Sequence, residues 1–183
     1  MPTVFTHAAI GLSGGKIFSF KSMPKKFWFF AILLPILPDA DSITFLLNIP
    51  YWHEFGHRGF FHSIFFAFII VLLIMLLLFR EDKIFSKSWL AKLIFFFVIT
   101  ASHGILDAFT NGGLGIALLA PFDNTRYFFP YRPIPVSPIG IGSFLSSWGA
   151  SVLFAEIICI WIPLILIVYL RRIYSKIKLK TSS

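Results

Sequence analysis

Imidazole and carboxylate side chains recur in this chain where the neighbouring residues are those of membrane helices. Asp39, Asp41, His62, His103 and Asp107 lie in apolar stretches, and Glu156 lies in a later one. An ionisable group deep in hydrocarbon costs at least ~2.5–3.5 kcal/mol on insertion scales, so such groups mark a site or a pathway by default. Together with His7 and His57 they form a nitrogen and oxygen donor set without thiolates. That set suits Zn²⁺, or Mn²⁺ as the alternative, and an ion of this kind activates water for hydrolysis. Any single member can equally be half of a buried His–Asp pair gluing two helices. Independent glue, however, has no reason to gather at one depth.

Spacing sorts these groups further. His103 and Asp107, at i and i+4, project from one helical face. Arg58 and His62 have the same relation, which sets a guanidinium just above an imidazole. His57 and His62 do not share a face, so His57 is expected before the helix, with Gly59 turning the chain inward. Asp39 and Asp41 would diverge on a regular helix. Pro35 and Pro38 disrupt that helix, and unwound backbone is tolerated at membrane depth where it lines a polar cavity.

The elements that must position these residues are long and apolar. Of 183 residues, 57% are hydrophobic and 24 are Phe, a composition outside the soluble range. Runs 27–47, 60–79, 89–109 and 148–170 each reach the ~20 residues that cross a ~30 Å core as helix. A weaker run, 3–20, lacks the basic opening of a signal peptide. Its Ala8, Ala9, Gly11, Ser13, Gly14 and Gly15 allow close helix approach. The expected fold is all-α: a polytopic membrane bundle of four long transmembrane helices plus a short N-terminal one, as one domain over residues 1–183.

The net charge of +8 is distributed in a way that excludes nucleic acid as the partner. Lys16, Lys21, Lys25 and Lys26, then Arg80, Lys83, Lys87 and Lys92, then Arg171, Arg172, Lys176, Lys178 and Lys180 fall on one side if the runs alternate. The positive-inside rule makes that side the cytoplasm, residues 171–183 a basic cytoplasmic tail, and the location the inner membrane. Asp39, His103 and Glu156 then lie roughly 9–12 Å below the outer boundary at 1.5 Å rise per residue. His62 is shallower and Asp107 nearer the surface, and His7 joins the layer if the first run crosses. The site is expected to open extracytoplasmically. The lone Cys159 cannot form an intrachain disulfide.

A competing motif is His53-Glu54-Phe55-Gly56-His57, which matches the H-E-x-x-H of zinc metalloproteases. That chemistry needs both histidines one turn apart on a helix. Pro50 and Gly56 argue against a helix here, and the protease reading leaves Asp39, Asp41, His62 and His103 unexplained. A third reading, a non-enzymatic metal or proton transporter, would use the same polar layer for ion passage.

In order, the motifs are Thr6-His7, Leu37-Pro38-Asp39-Ala40-Asp41, His57-Arg58-Gly59-Phe60-Phe61-His62-Ser63, and His103-x-x-x-Asp107-x-x-Thr110-x-x-Gly113. This pattern resembles the YdjM-type family, regarded as membrane-bound metal-dependent hydrolases with a distant likeness to zinc-dependent phospholipase C and P1 nuclease. The resemblance implies His7, Asp39, His62, His103 and Asp107 as metal ligands, with His57 next and Glu156 as a late glutamate ligand. Position 152 is Val where the distant group has a histidine. One or two ions are therefore expected rather than three.

Arg58, Arg126 and Arg132 are the only basic residues expected on the outer side. The last two belong to the proline- and glycine-rich connection 110–147, too long to be mere filler. All three are candidates for binding a substrate phosphate, which Arg matches bidentately; lipid phosphate at the interface is the plainer role for Arg126 and Arg132. Asp41 and Arg58 are the candidate catalytic residues, for proton transfer and phosphoryl charge respectively. The expected activity is phospholipase-like hydrolysis of a phosphoester in a membrane lipid or other amphiphilic phosphate.

Overall fold

Prolines and caps decide where the apolar runs become helix. The structure is a computed structural model describing residues 1–19, 22–138 and 140–181. Lys21 and the last two residues of the basic tail lie outside these, as does the side chain of Lys180. Helix α1 spans Val4–Phe18 and α2 spans Lys25–Leu33. A 3-10 turn, Leu37–Ser42, then leads into the short α3, Ile43–Leu46.

The run 27–47 is therefore not one continuous helix. Its two parts diverge by 49°. Pro38 has no N–H to return to Leu34, so the backbone tightens: Leu37 N–H reaches Leu34 O at 3.3 Å and Asp39 N–H reaches Ile36 O at 3.1 Å. The run 60–79 is also shorter as helix than expected. Phe60–His62 forms a 3-10 turn, and α4 covers only Ile64–Leu78. Ser63 sets that start, with extended backbone and an Oγ that accepts the Phe66 N–H at 3.0 Å. Arg58 and His62 consequently do not stack on a helix, because Arg58 lies in the preceding turn at φ 65°.

The other runs come closer to expectation. Ser86 caps α5, Lys87–Asp107, by accepting the Trp89 N–H at 3.2 Å. After a short α6, Ile141–Phe144, helix α7 (Ser147–Glu156), a π turn (Ile157–Trp161) and α8 (Ile162–Thr181) follow one another. Among the described residues two helices are long and apolar enough to cross a membrane, Lys87–Asp107 and Ser147–Lys178, or three if the bent pair counts as one span. The fold is all-helical: among the described residues the only β pairing is two isolated bridges, Thr110 with Ile134 and Ile116 with Tyr127.

Aromatic packing holds α2, α4 and α5 together. Phe27, Phe30, Phe79, Trp89 and Phe96 are buried in one core, with the Phe27 ring 5.1 Å from Phe95 and 5.3 Å from Phe96. Helix α1 joins through its small face, where a Cβ on Gly11 would overlap the Ala31 carbonyl. The flank of α8 stays uncovered, with Ile165, Leu166, Tyr169 and Leu170 exposed, as suits a lipid-facing helix.

The two ends of the bundle differ in charge. At one end Lys26 bonds the Leu78 carbonyl and pairs with Glu81 at 2.9 Å, while Lys92 pairs with Asp82. Burial pushes the Asp82 carboxyl up, but hydrogen bonds to Lys92 and Ser88 and the Lys92 charge leave it below the ordinary carboxylate value. The opposite end collects the start of α1, the α2–α3 break, the start of α4 and the end of α5. The imidazoles and carboxylates are there.

Candidate metal centre

The four elements converge on a knot of side chains, many of whose polar atoms have no hydrogen-bond partner. His7 comes from α1, Asp39 from the 3-10 turn, His62 from the turn before α4, and His103 and Asp107 from the last turns of α5. His103 Nε2 lies 3.3 Å from Asp39 Oδ1, and His62 Nε2 lies 3.6 Å from the same oxygen. Asp107 Oδ2 is 3.7 Å from His62 Nε2 and 4.0 Å from His103 Nε2. Its Oδ1 is 3.5 Å from His7 Nε2, and the His7 ring stacks on His103 with centroids 3.9 Å apart. Asp39, His62, His103 and Asp107 each offer one ligand atom within 4.8 Å of all the others.

Hydrogen bonding does not account for this arrangement. Both His7 nitrogens, both oxygens of Asp39 and of Asp107, and the Nε2 atoms of His62 and His103 are buried without a hydrogen-bond partner. Buried polar groups are almost always satisfied, and leaving one bare costs about 1–3 kcal/mol. With one such atom each from Asp39, His62, His103 and Asp107 gathered within 4.8 Å, a cation fits as the missing partner, and the donor chemistry fits a borderline divalent ion.

Surrounding contacts orient the ligands. His103 Nδ1 lies 2.8 Å from the Pro35 carbonyl. Donation to that carbonyl leaves Nε2 with its lone pair toward the cluster. The carbonyl is available because the 3-10 turn sends the Asp39 N–H to Ile36 instead. His62 Nδ1 sits 3.0 Å from Asp41 Oδ2, although out of line for a hydrogen bond. Asp41 Oδ1 meets His57 Nδ1 at 2.6 Å, and its Oδ2 accepts the Arg58 N–H at 3.1 Å. Asp41, His57 and His62 form a second group of metal-compatible spacing that shares His62 with the first. Gly104 permits the approach of the His62 turn to α5, since a Cβ there would overlap the His62 carbonyl oxygen.

Arg58 closes the cluster. Its guanidinium is 1% exposed, donates to the Gly112 carbonyl and to Thr110 Oγ1 at 3.2 Å, and holds Nε 3.4 Å from Asp107 Oδ2. Thr110 in turn donates to the Asp107 carbonyl at 2.7 Å. Beside it opens a cavity of about 350 Å³ lined by Tyr51, His57, Arg58, Gly113 and Trp148, among others. Tyr51 gave no signal in the sequence beyond its aromatic character. Burial raises the pKa of its phenol, so it remains a hydroxyl near neutrality.

Three candidate residues stand elsewhere. Glu156 does not join the cluster. Both its oxygens are occupied, by the N–H and Oγ1 of Thr3 and by Thr6 Oγ1 at 2.7 Å, so it anchors the start of α1 to the end of α7. Arg126 is not free to clamp a phosphate: it donates to the carbonyls of His57 at 3.0 Å, Tyr51 at 2.8 Å and His53 at 3.1 Å. It ties the long connection to the turns before α4, and burial lowers its pKa from the usual guanidinium value. Arg132 lies over the Phe128 ring, 4.8 Å from its centroid, and is exposed. The protease motif fails on geometry. Residues 51–59 are turns, His53 Nδ1 accepts the Phe55 N–H at 3.1 Å, and Glu54 is exposed and within 3.4 Å of Asn124 Nδ2.

Known proteins agree with the sequence pattern. A family model described as YdjM inner membrane protein matches residues 1–177, nearly the whole chain. The chain belongs to the YdjM family. A curated relative, Inner membrane protein YbcI of Escherichia coli (strain K12), is 38% identical over 166 residues, covering 89% of this chain and 92% of that protein. No solved structure matches. Membership and the apolar helices make this an inner membrane protein whose buried His and Asp groups can hold a metal ion.

Proposed function

We propose that the chain is a metal-dependent hydrolase embedded in the inner membrane, cleaving a phosphoester in a lipid-like substrate. The observation that carries the proposal is the set of buried, partnerless nitrogen and oxygen atoms contributed by His7, Asp39, His62, His103 and Asp107. Asp39, His62, His103 and Asp107 would hold one ion, with His7 packed against Asp107 and His103, zinc being the best match to the donors, while Asp41 and His57 serve the reaction from beside it. When bound, such an ion supplies Lewis acidity and a more acidic water. The site would face the extracytoplasmic side, with α1 and α4, of 15 residues each, also embedded to give four long passes and a short one.

The chain's own residues suggest how a substrate is handled. The cavity of about 350 Å³ suits a phosphoryl group with its immediate substituents. Arg58 forms its wall; Gly112 and Thr110 use two of its five N–H donors and Nε faces Asp107, which leaves two N–H groups to meet anionic oxygens. His57 lines the same cavity with Nδ1 held by Asp41 at 2.6 Å. That pairing orients the ring so that Nε2 can pass a proton to a leaving oxygen. Asp41 is then a positioning residue, with Oδ1 held by His57 and Oδ2 by the Arg58 N–H.

The test joins elemental analysis of detergent-purified protein to an assay on short-chain phospholipids and bis(p-nitrophenyl) phosphate. Wild type is expected to carry one zinc ion per chain and to turn over a phosphoester. His103→Ala with Asp107→Ala should lose both. A metal-loaded wild type that hydrolyses neither substrate class, yet moves ions across liposomes, would replace the hydrolase with a transporter.

A further inference from the structure

At the end of the bundle away from the metal cluster, the last turns of α1 and α8 enclose a groove of about 1120 Å³. Lys16, Arg171, Arg172, Lys176 and Lys178 line it, with Trp28 and Tyr174 among the other walls and no carboxylate side chain. The acidic residues lie in other parts of the molecule. Asp39, Asp41 and Asp107 are in the metal cluster, Glu156 binds Thr3 and Thr6, and Glu81 and Asp82 face Lys26 and Lys92. Glu54 and Asp123 belong to the loops around Asn124 and Tyr127.

The groove also falls at a particular height. The apolar part of the last helix, residues 148–170, is about 34 Å long at 1.5 Å per residue, close to the thickness of a bilayer core. Arg171 and Arg172 follow immediately, so the basic walls start at the level of lipid phosphates. Trp28 and Tyr174 are the residue types that settle in that layer. A concave, cationic, aromatic-walled space between membrane helices has the chemistry of a headgroup pocket.

We propose that this groove binds one anionic phospholipid, its phosphate held by Lys16, Arg172 and Lys176 and its upper acyl chain lying against Ile17 and Trp28. The bound lipid lies at the far end from the metal cluster and is not the hydrolase substrate. The site therefore stands or falls independently of the proposed reaction.

The experiment is native mass spectrometry of the full chain, titrated with phosphatidylglycerol or phosphatidylethanolamine, with inorganic phosphate as competitor. Phosphatidylglycerol is expected to bind one per chain, well ahead of the zwitterionic lipid. Each basic residue near an anionic surface contributes about fivefold, so Arg172→Gln with Lys176→Gln should weaken binding about 25-fold. Lys83→Gln with Lys87→Gln, exposed and outside the groove, should change it less than twofold. The proposal is overturned by equal binding of the two lipids, by equal losses in both double variants, or by displacement of the lipid at millimolar phosphate. The last outcome would make this a soluble-phosphate site.

Discussion

Asp41→Asn tests how the metal cluster is built. Asp41 uses one oxygen for His57 at 2.6 Å and the other for the Arg58 N–H at 3.1 Å, with His62 Nδ1 3.0 Å from that second oxygen. Asparagine keeps one acceptor and turns an amide N–H toward whichever side it cannot serve. At least one charge-assisted contact is lost, worth about 1.5–3 kcal/mol. If Asp41 acts only by orienting His62, the loss reaches the metal indirectly. Zinc affinity should then fall about 10- to 100-fold, equivalent to about 1.4–2.8 kcal/mol, at unchanged stoichiometry. Chelator competition on detergent-purified protein measures the affinity, and elemental analysis counts ions per chain. His57→Ala in the same assays should keep the affinity within a few fold while lowering turnover. The reasoning is refuted if Asp41→Asn removes one ion per chain and leaves the remaining affinity intact, because Asp41 would then be a ligand. It is refuted equally if neither quantity moves.

Three further outcomes are expected. Glu156→Gln should lower the thermal midpoint, at a cost of about 1–3 kcal/mol for a carboxylate that accepts three hydrogen bonds, while metal content stays at the wild-type value in elemental analysis. Gly104→Val places a branched side chain against the His62 carbonyl; it should cost about 1–3 kcal/mol by overpacking and reduce bound metal, read by thermal unfolding with and without zinc. Glu54→Gln should leave metal content and phosphoesterase turnover within twofold of wild type, since the Glu54 side chain is exposed and belongs to neither candidate group; loss of activity would restore the protease reading.

The long apolar runs were legible because hydrocarbon imposes length and composition, so α5 lies within two residues of its run and the final helix starts within one residue of its own, although it continues past residue 170 to Lys178. Breaks within runs were less legible. Pro35 and Pro38 signalled unwinding, but the angle and the 3-10 path depend on which carbonyls the next amides find. The start of α4 at Ile64 rather than residue 60 was set by a serine cap that apolar counting does not weigh. Arg126 and Glu156 show a common ambiguity: a lone charged residue in an apolar or loop context reads as functional. Here three backbone carbonyls hold the arginine, and two threonines hold the glutamate.

By itself the sequence determined which groups are compelled to find partners. Imidazoles and carboxylates in apolar helices cannot stay solvated, so residue type and position gathered His7, Asp39, Asp41, His57, His62, His103, Asp107 and Glu156 as one donor set, and the family resemblance put His7, Asp39, His62, His103 and Asp107 first. Tertiary structure decided which of them face one another. That depends on the helix break that brings Asp39 to His103, on Gly104 letting the His62 turn reach α5, and on the Pro35 carbonyl that sets the His103 ring. These are contacts between segments far apart in the chain, and their distances are fixed by packing rather than by any local spacing.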